Sequence, residues 1–218
     1  MGNALCNYGF LCWLFCAGAI MLNINTSTSG DKQSPNVKKL VDESVKKKAV
    51  AESTLLNENP LMAGDIPEAL GYIKKHTDYT SYHLLLAVRK YYPSSYKDVP
   101  TDDKVAILCS ALKTSTFLND WGYLTASESF DGESSTALLE LGKVALKTLE
   151  PILDDSTSAP LFGSQEATLS SGYNYRRKDF AYRYASLVLG ESPVFHADPN
   201  KRNKDIEMLK AKLKKDAK

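Results

Sequence analysis

The chain has 218 residues, 43% of them hydrophobic and 24% charged, with a net charge of +1 at pH 7. These proportions exclude collagen-like, coiled-coil and wholly disordered classes, and the balanced charge removes a generally basic nucleic-acid binder. The four cysteines are too few and too badly placed for a disulfide scaffold.

Charge is distributed unevenly. Residues 1–30 carry no Lys, Arg, Asp or Glu. Residues 54–198 hold 13 basic and 19 acidic side chains, and residues 199–218 hold eight basic and three acidic. An acidic body is thus followed by a basic tail, which reads first as a solvated helix.

From Tyr8 to Leu22 no side chain is charged, and the apolar stretch widens to Ala4–Ile24 if Asn7 and Asn23 are allowed. Twenty-one helical residues at about 1.5 Å each reach across a hydrocarbon core of about 30 Å, so residues 1–24 read as a membrane anchor. The narrower count matches the apolar region of a signal peptide, with Ala17-Gly18-Ala19 as a cleavage site. No Lys or Arg precedes the run, whereas Lys32, Lys38 and Lys39 follow it. That asymmetry places the body on the cytoplasmic side if the segment is retained. Cleavage would release a secreted or periplasmic protein. Met1-Gly2-Asn3-Ala4-Leu5-Cys6 is a poor myristoylation signal, because Cys6 stands where Ser or Thr is expected.

Residues 25–65 read as a polar tether followed by a charged spacer helix. NTSTSGDKQSPN (25–36) is small and polar. Val37, Leu40, Val41, Val45 and Ala49 then fall near helical spacing over 36–54.

The region 66–218 is predicted to be all-α. Pro67 suits the first turn of a helix over 67–76. Leu84, Leu85, Val88, Tyr91 and Tyr92 make one stripe, which Pro93 ends. Thr101 is placed to cap the next helix, with Asp102 and Asp103 at its positive end and Val105, Leu108, Cys109 and Leu112 facing in. A helix over 134–141 stops at Gly142, and a second over 143–153 is bent by Pro151. Phe180, Tyr184, Leu187 and Val188 define another helix, ended by Gly190. Asp198-Pro199 opens the last, with Ile206, Leu209 and Leu213 inward. No segment alternates with period two.

Within residues 137–155, ALLELGKVALKTLEPILDD, a short helix, a glycine turn and an A-L-x-x-L-x-x-I-L-D-D run resemble one unit of the bacterial HEAT-like helical repeats. The body from about 80 to 213 is similar to an uncharacterised bacterial domain grouped with such proteins. The resemblance implies stacked antiparallel helix pairs and protein binding, and it carries no catalytic residues. The insertion 156–175 departs from a regular repeat array.

No GxGxxG, GxxxxGK[ST], HExxH, GxSxG or CxxC motif is present, and His76, His83 and His196 are scattered, so no cofactor or metal is expected. Three connecting segments are unusually rich in aromatic and charged residues: 117–124, 159–184 and 193–199. Asp120, Trp121, Tyr175, Arg176, Arg177, Asp179, Arg183 and His196 are the candidate binding residues there. Tyr, Trp and Arg commonly anchor protein contacts. The same residues equally suit sealing the helix ends, with Trp121 as a plug and Arg183 holding the 117–124 loop through Asp120 or Asp179. The leading functional reading is a membrane-associated scaffold that binds another protein. The alternative is an exported hydrolase-like enzyme pairing Asp120 or Asp198 with His196 as acid and base, and Arg176 or Arg183 on an anionic substrate. Nucleic acid is a poor partner, because the basic tail has no aromatic residue for base stacking.

Overall fold

The computed structural model describes residues 36–47, 52–125 and 132–216. The anchor or signal segment at 1–24 and most of the tether lie outside them. Among the described residues the chain forms eleven α-helices joined by short 3-10 turns, with no β-strand, as the periodicity predicts. No described helix is long and apolar enough to cross a membrane.

The predicted 36–54 helix is realised as α1 (Val37–Val45), with Asn36 accepting from the Lys39 amide, and a separate turn α2 (Thr54–Asn57). Helix α3 (Ile66–Lys75) starts with Pro67 in its first turn. Helix α4 (Tyr82–Tyr91) is buried on all sides from Tyr82 to Val88, more fully than a single stripe. Only a central helix can be apolar all round. Pro93 does stop α4, then opens the short α5 (Pro93–Tyr96).

Helix α6 (Thr101–Thr114) has Pro100, not Thr101, at its N-cap, and Asp102 and Asp103 occupy its first turn. Helix α7 (Glu133–Glu140) is followed by a left-handed Gly142. The helix expected over 143–153 is broken into a 3-10 turn, α8 (Leu146–Leu149) and a second 3-10 stretch over Glu150–Asp154. Pro151 lacks an N–H to continue the α pattern, so the chain tightens there.

The insertion holds a helix that periodicity did not reveal, α9 (Ser164–Gly172), whose SQEATLSSG has no apolar stripe. Helix α10 (Arg177–Val188) ends in a Schellman arrangement, with Glu191 N–H on the Ser186 carbonyl at 2.9 Å and Gly190 N–H on that of Leu187 at 3.0 Å. Gly190 takes the left-handed conformation this needs. Helix α11 (Pro199–Asp216) buries Ile206 and Leu209 as expected.

Ser34–Lys218 form one compact unit. Helices α1, α2, α3, α5, α6 and α7 all pack against α4. Helix α10 then packs on α7, α8 and the 150–154 turn, and α11 covers α10 and that turn. Arg89 bridges α4 to α7 through Glu133 and Glu140, each at 2.7 Å, but both carboxylates are exposed and such bridges add little stability.

His83 belongs to this apolar centre. Its imidazole is buried among Tyr79 and Tyr82, and Nδ1 has no hydrogen-bond partner. Burial pushes its pKa down from 6.5 to about 4. The unfolded chain therefore takes up the proton first. Stability is full above pH 6.5 and falls as the pH drops through the window from 6.5 to 4, by up to about 3 kcal/mol. His83→Leu should flatten this part of the stability–pH curve in denaturant titrations. An unchanged acid slope in the variant would show that His83 is not the responsible group.

Candidate functional site

The three rich segments are brought together in pairs. Backbone bonds from Ala159 N–H to the Tyr175 carbonyl (2.8 Å) and from Arg177 N–H to that of Thr157 (3.0 Å) fold the insertion back on itself around a Ser158–Arg176 bridge. Leu118 N–H then donates to the Pro160 carbonyl at 3.0 Å. Asn119 reads the Phe162 backbone twice, accepting from its N–H at 2.6 Å and donating to its carbonyl at 2.7 Å. The 117–121 turn and the 159–162 strip are thus stitched edge to edge.

Asp120 works as a helix cap from outside its helix. Gly132, the N-cap of α7, has no side chain to offer. Asp120 supplies the acceptor instead: its Oδ2 takes the Ser134 N–H at 3.2 Å, the Ser134 hydroxyl, and the Tyr82 hydroxyl at 3.3 Å. A carboxylate beside the first turn also suits the positive end of α7. The close approach depends on Gly132, since a Cβ there would stand 2.0 Å from the Asp120 carbonyl oxygen. Burial raises the Asp120 carboxyl above its usual range, opposed by the Ser134 and Tyr82 hydrogen bonds. Burial likewise raises the Tyr82 phenol, helped by the Asp120 charge. The perturbed carboxylate is therefore engaged by three protein donors.

Trp121 is 1% exposed and lies against Tyr184, with ring centroids 5.6 Å apart. The ring is thus buried, as a sealing role requires. Tyr184 ties this turn to α10, its hydroxyl donating to the Trp121 carbonyl. The tie expected of Arg183 is through Asp120 or Asp179. Arg183 is half-buried on the flank of α10, while Asp120 is taken up by Tyr82 and Ser134, and Asp179 by two other arginines.

Those arginines form the second constellation. Asp179 is 1% exposed and sits in the first turn of α10, accepting the Arg176 N–H at 3.1 Å. Arg176 grips it with two side-chain bonds, Nε at 3.0 Å and a terminal nitrogen at 2.7 Å, and reaches Asn203 of α11 at 2.9 Å. Arg202, only 2% exposed, approaches from α11 with Nε 3.3 Å from Asp179. Its remaining nitrogens donate to the carbonyls of Tyr173 (2.9 Å), Asn174 (3.1 Å), His196 (2.8 Å) and Ala197 (3.2 Å). Its guanidinium lies 4.6 Å from the Phe195 ring centre. Burial lowers its pKa, against the pull of Asp179. Arg177 does similar work elsewhere, donating to the Leu112 carbonyl and, at 2.9 Å, to that of Ser115 at the end of α6. Burial lowers its pKa too.

Tyr175 is buried edge-on to Phe180 and Phe195. His196 Nε2 lies 3.4 Å from Asp205, a residue the sequence reading did not single out. Asp198 accepts from the Asn200 N–H at the start of α11. The acid/base partners expected for His196, Asp120 and Asp198, are each engaged in capping. Among the described residues no group of three His, Cys, Asp or Glu side chains is placed to hold a metal. Cys109 is buried, and burial pushes its thiol up to about 12, so it is unreactive.

Arg202 was overlooked because it belongs to a lysine-rich tail. A signal existed: Arg202, Ile206, Leu209 and Leu213 share one stripe of α11, so the arginine points inward with the leucines. Tyr184 shares the apolar stripe of Phe180, Leu187 and Val188, whereas Tyr82 and Ser134 carried no comparable signal.

What remains on the surface is different in character. Phe162 is 49% exposed, edge-on to Phe117 at 5.4 Å. Helix α9, two residues further along the chain, borders an open hollow lined by Gln165, Thr168, Leu169 and Tyr173, and Glu166 lines another with Tyr123. No family model, no curated protein and no solved structure matches the chain.

Proposed function

We propose that this protein is a helical module that binds another protein, held at a membrane by residues 4–24, with the helices of 66–218 stacked in HEAT-like antiparallel pairs. Stacking is supported by the order of packing, in which helices close in the chain are neighbours in space. Membrane attachment rests on the uncharged run from Tyr8 to Leu22.

The observation that carries the binding reading is how polar groups are spent. Asp120, Arg176, Arg177 and Asp179 are engaged in a cap, backbone bonds and a buried ion pair, whereas Phe162 stands half-exposed two residues before α9. Aromatic side chains, Phe among them, are enriched in the buried centre of protein interfaces, so an exposed ring is a candidate anchor. The partner that fits is a segment with an apolar side chain for Leu169 and Tyr173 and basic flanks. Glu166 and the acidic excess of residues 54–198 supply the complementary charge.

A photo-crosslinking phenylalanine analogue at position 162 of the full chain tests this in intact cells. One discrete protein adduct is expected, lost in Leu169→Asp. No adduct, or the same adducts from a probe at Val144, which is 51% exposed on another element, would overturn the reading.

A further inference from the structure

Helix α11 is amphipathic in an unusual sense. Its apolar stripe is already used, with Arg202, Ile206 and Leu209 buried and Leu213 packed on the core. The opposite stripe is Lys201, Lys204, Met208, Ala211 and Lys215, spaced 3, 4, 3 and 4 residues, so these side chains share one face over about 21 Å. All five are exposed, and Met208 is 65% exposed between the lysines.

This stripe contains no acidic residue. Two carboxylates of α11 lie off it and are engaged: Asp205 with His196, and Glu207 with Lys210 at 3.0 Å. Lys210 also holds Asp154, and Lys212 holds Glu191, so these two lysines are neutralised by the body. Lys201, Lys204 and Lys215 have no ion-pair partner among the described residues. Three unpaired cations around a solvent-facing methionine on a rigid helix make a small flat positive surface, on a chain whose residues 54–198 are acidic.

We propose that this outward face of α11 lies against an anionic lipid surface, so that the domain has a preferred side toward the membrane. The proposal rests on the membrane attachment proposed above. Because Ile206 and Leu209 are committed to the core, α11 does not roll its apolar face into the bilayer. The contact is electrostatic, with Met208 reaching into the headgroup layer. Stable attachment commonly needs two weak signals, and an apolar segment with a basic patch is one such pair. Each lysine close to an anionic leaflet contributes about fivefold in partition, and the effect fades beyond a Debye length of about 8 Å at physiological salt. Nucleic acid suits the face less. Residues 199–218 have no aromatic side chain to stack on bases, and the one arginine among them is buried.

Lysine footprinting of the full chain with a water-soluble amine-reactive reagent, read by mass spectrometry, tests the proposal. The chain is mixed with phosphatidylcholine vesicles with or without phosphatidylglycerol, and flotation is scored in the same samples. Flotation with both vesicle types is expected. Labelling of Lys201, Lys204 and Lys215 should fall about fivefold only on anionic vesicles and recover at high salt, while Lys74 and Lys143 stay unchanged. Equal labelling on both vesicle types, or protection on both, would overturn the proposal. Flotation with anionic vesicles alone, with the three lysines protected, would support this face and remove the apolar anchor. Flotation with neither would remove both. Protection by a short DNA duplex at low salt, without protection by anionic vesicles, would reassign the face to nucleic acid.

Discussion

Trp121→Ala is expected to lower the unfolding free energy by about 3–5 kcal/mol, the usual cost of removing a large aromatic side chain from a core. The ring is 1% exposed and packs on Tyr184, and it closes the space where the 119–121 turn meets α10. The Tyr184 hydroxyl bonds to the Trp121 backbone carbonyl, so the mutation spares that bond and isolates the packing loss. Denaturant unfolding of the full chain reads the effect directly. A midpoint equal to that of the unmodified protein would mean that the ring faces solvent, and would return Trp121 to the list of partner-binding residues.

The second large effect is expected at Asp179. One carboxylate, 1% exposed, receives two guanidiniums and a backbone N–H. Asp179→Ala leaves Arg176 and Arg202 inside the fold without their counter-charge. Breaking a buried ion pair from one side in this way costs about 3–5 kcal/mol. Asp179→Asn should cost less, since its side-chain oxygen can still accept the Arg176 N–H. The damage should also be directional. Arg202 is the residue through which α11 reaches the 173–174 and 196–197 carbonyls, so amide exchange should rise first in α11 and around Phe195. Uniform exchange across all helices would show that the cluster does not act as the clasp for α11.

The two results bear on function together. If both variants are unstable, the aromatic and charged residues concentrated at 117–124 and 173–184 serve the fold, and the surface left for a partner is Phe162 with the α9 groove. Mutations at its exposed positions, such as Gln165→Lys, should leave stability nearly intact and remove only the crosslinked partner.

Much of the helical order was legible from local signals, because caps, prolines and apolar spacing act over one or two turns. Pro67, Pro93, Gly190 and Asp198-Pro199 each mark a helix boundary within a residue or two of where it falls. Val105, Leu108, Cys109 and Leu112 of α6 and Ile206 and Leu209 of α11 are buried as period 3.6 predicts, while Ile107, Ala111 and Arg202 are buried in addition to those expected. Two segments failed for local reasons as well. Helix α9 has small and polar residues throughout, so no stripe announced it, and Pro151 breaks up the 143–153 helix rather than bending it.

The candidate residues could be found in the sequence but their roles could not. Richness in Tyr, Trp, Arg and Asp picks out loops that must satisfy many polar groups at once, and a binding face and a buried clasp look alike in that measure. Which carboxylate meets which guanidinium depends on pairs separated by tens of residues, such as Asp179 with Arg202 and Asp120 with Tyr82. The sequence by itself determined an all-helical body, the ends of most helices and an uncharged N-terminal run. The three-dimensional packing was needed to see that Asp120 caps α7, that the Tyr184 hydroxyl bonds the Trp121 carbonyl, and that Arg202 is buried while Lys201 and Lys204 face out. The physical reason is that hydrogen-bond and ion-pair partners are chosen by distance in space, and short-range periodicity carries no record of that distance.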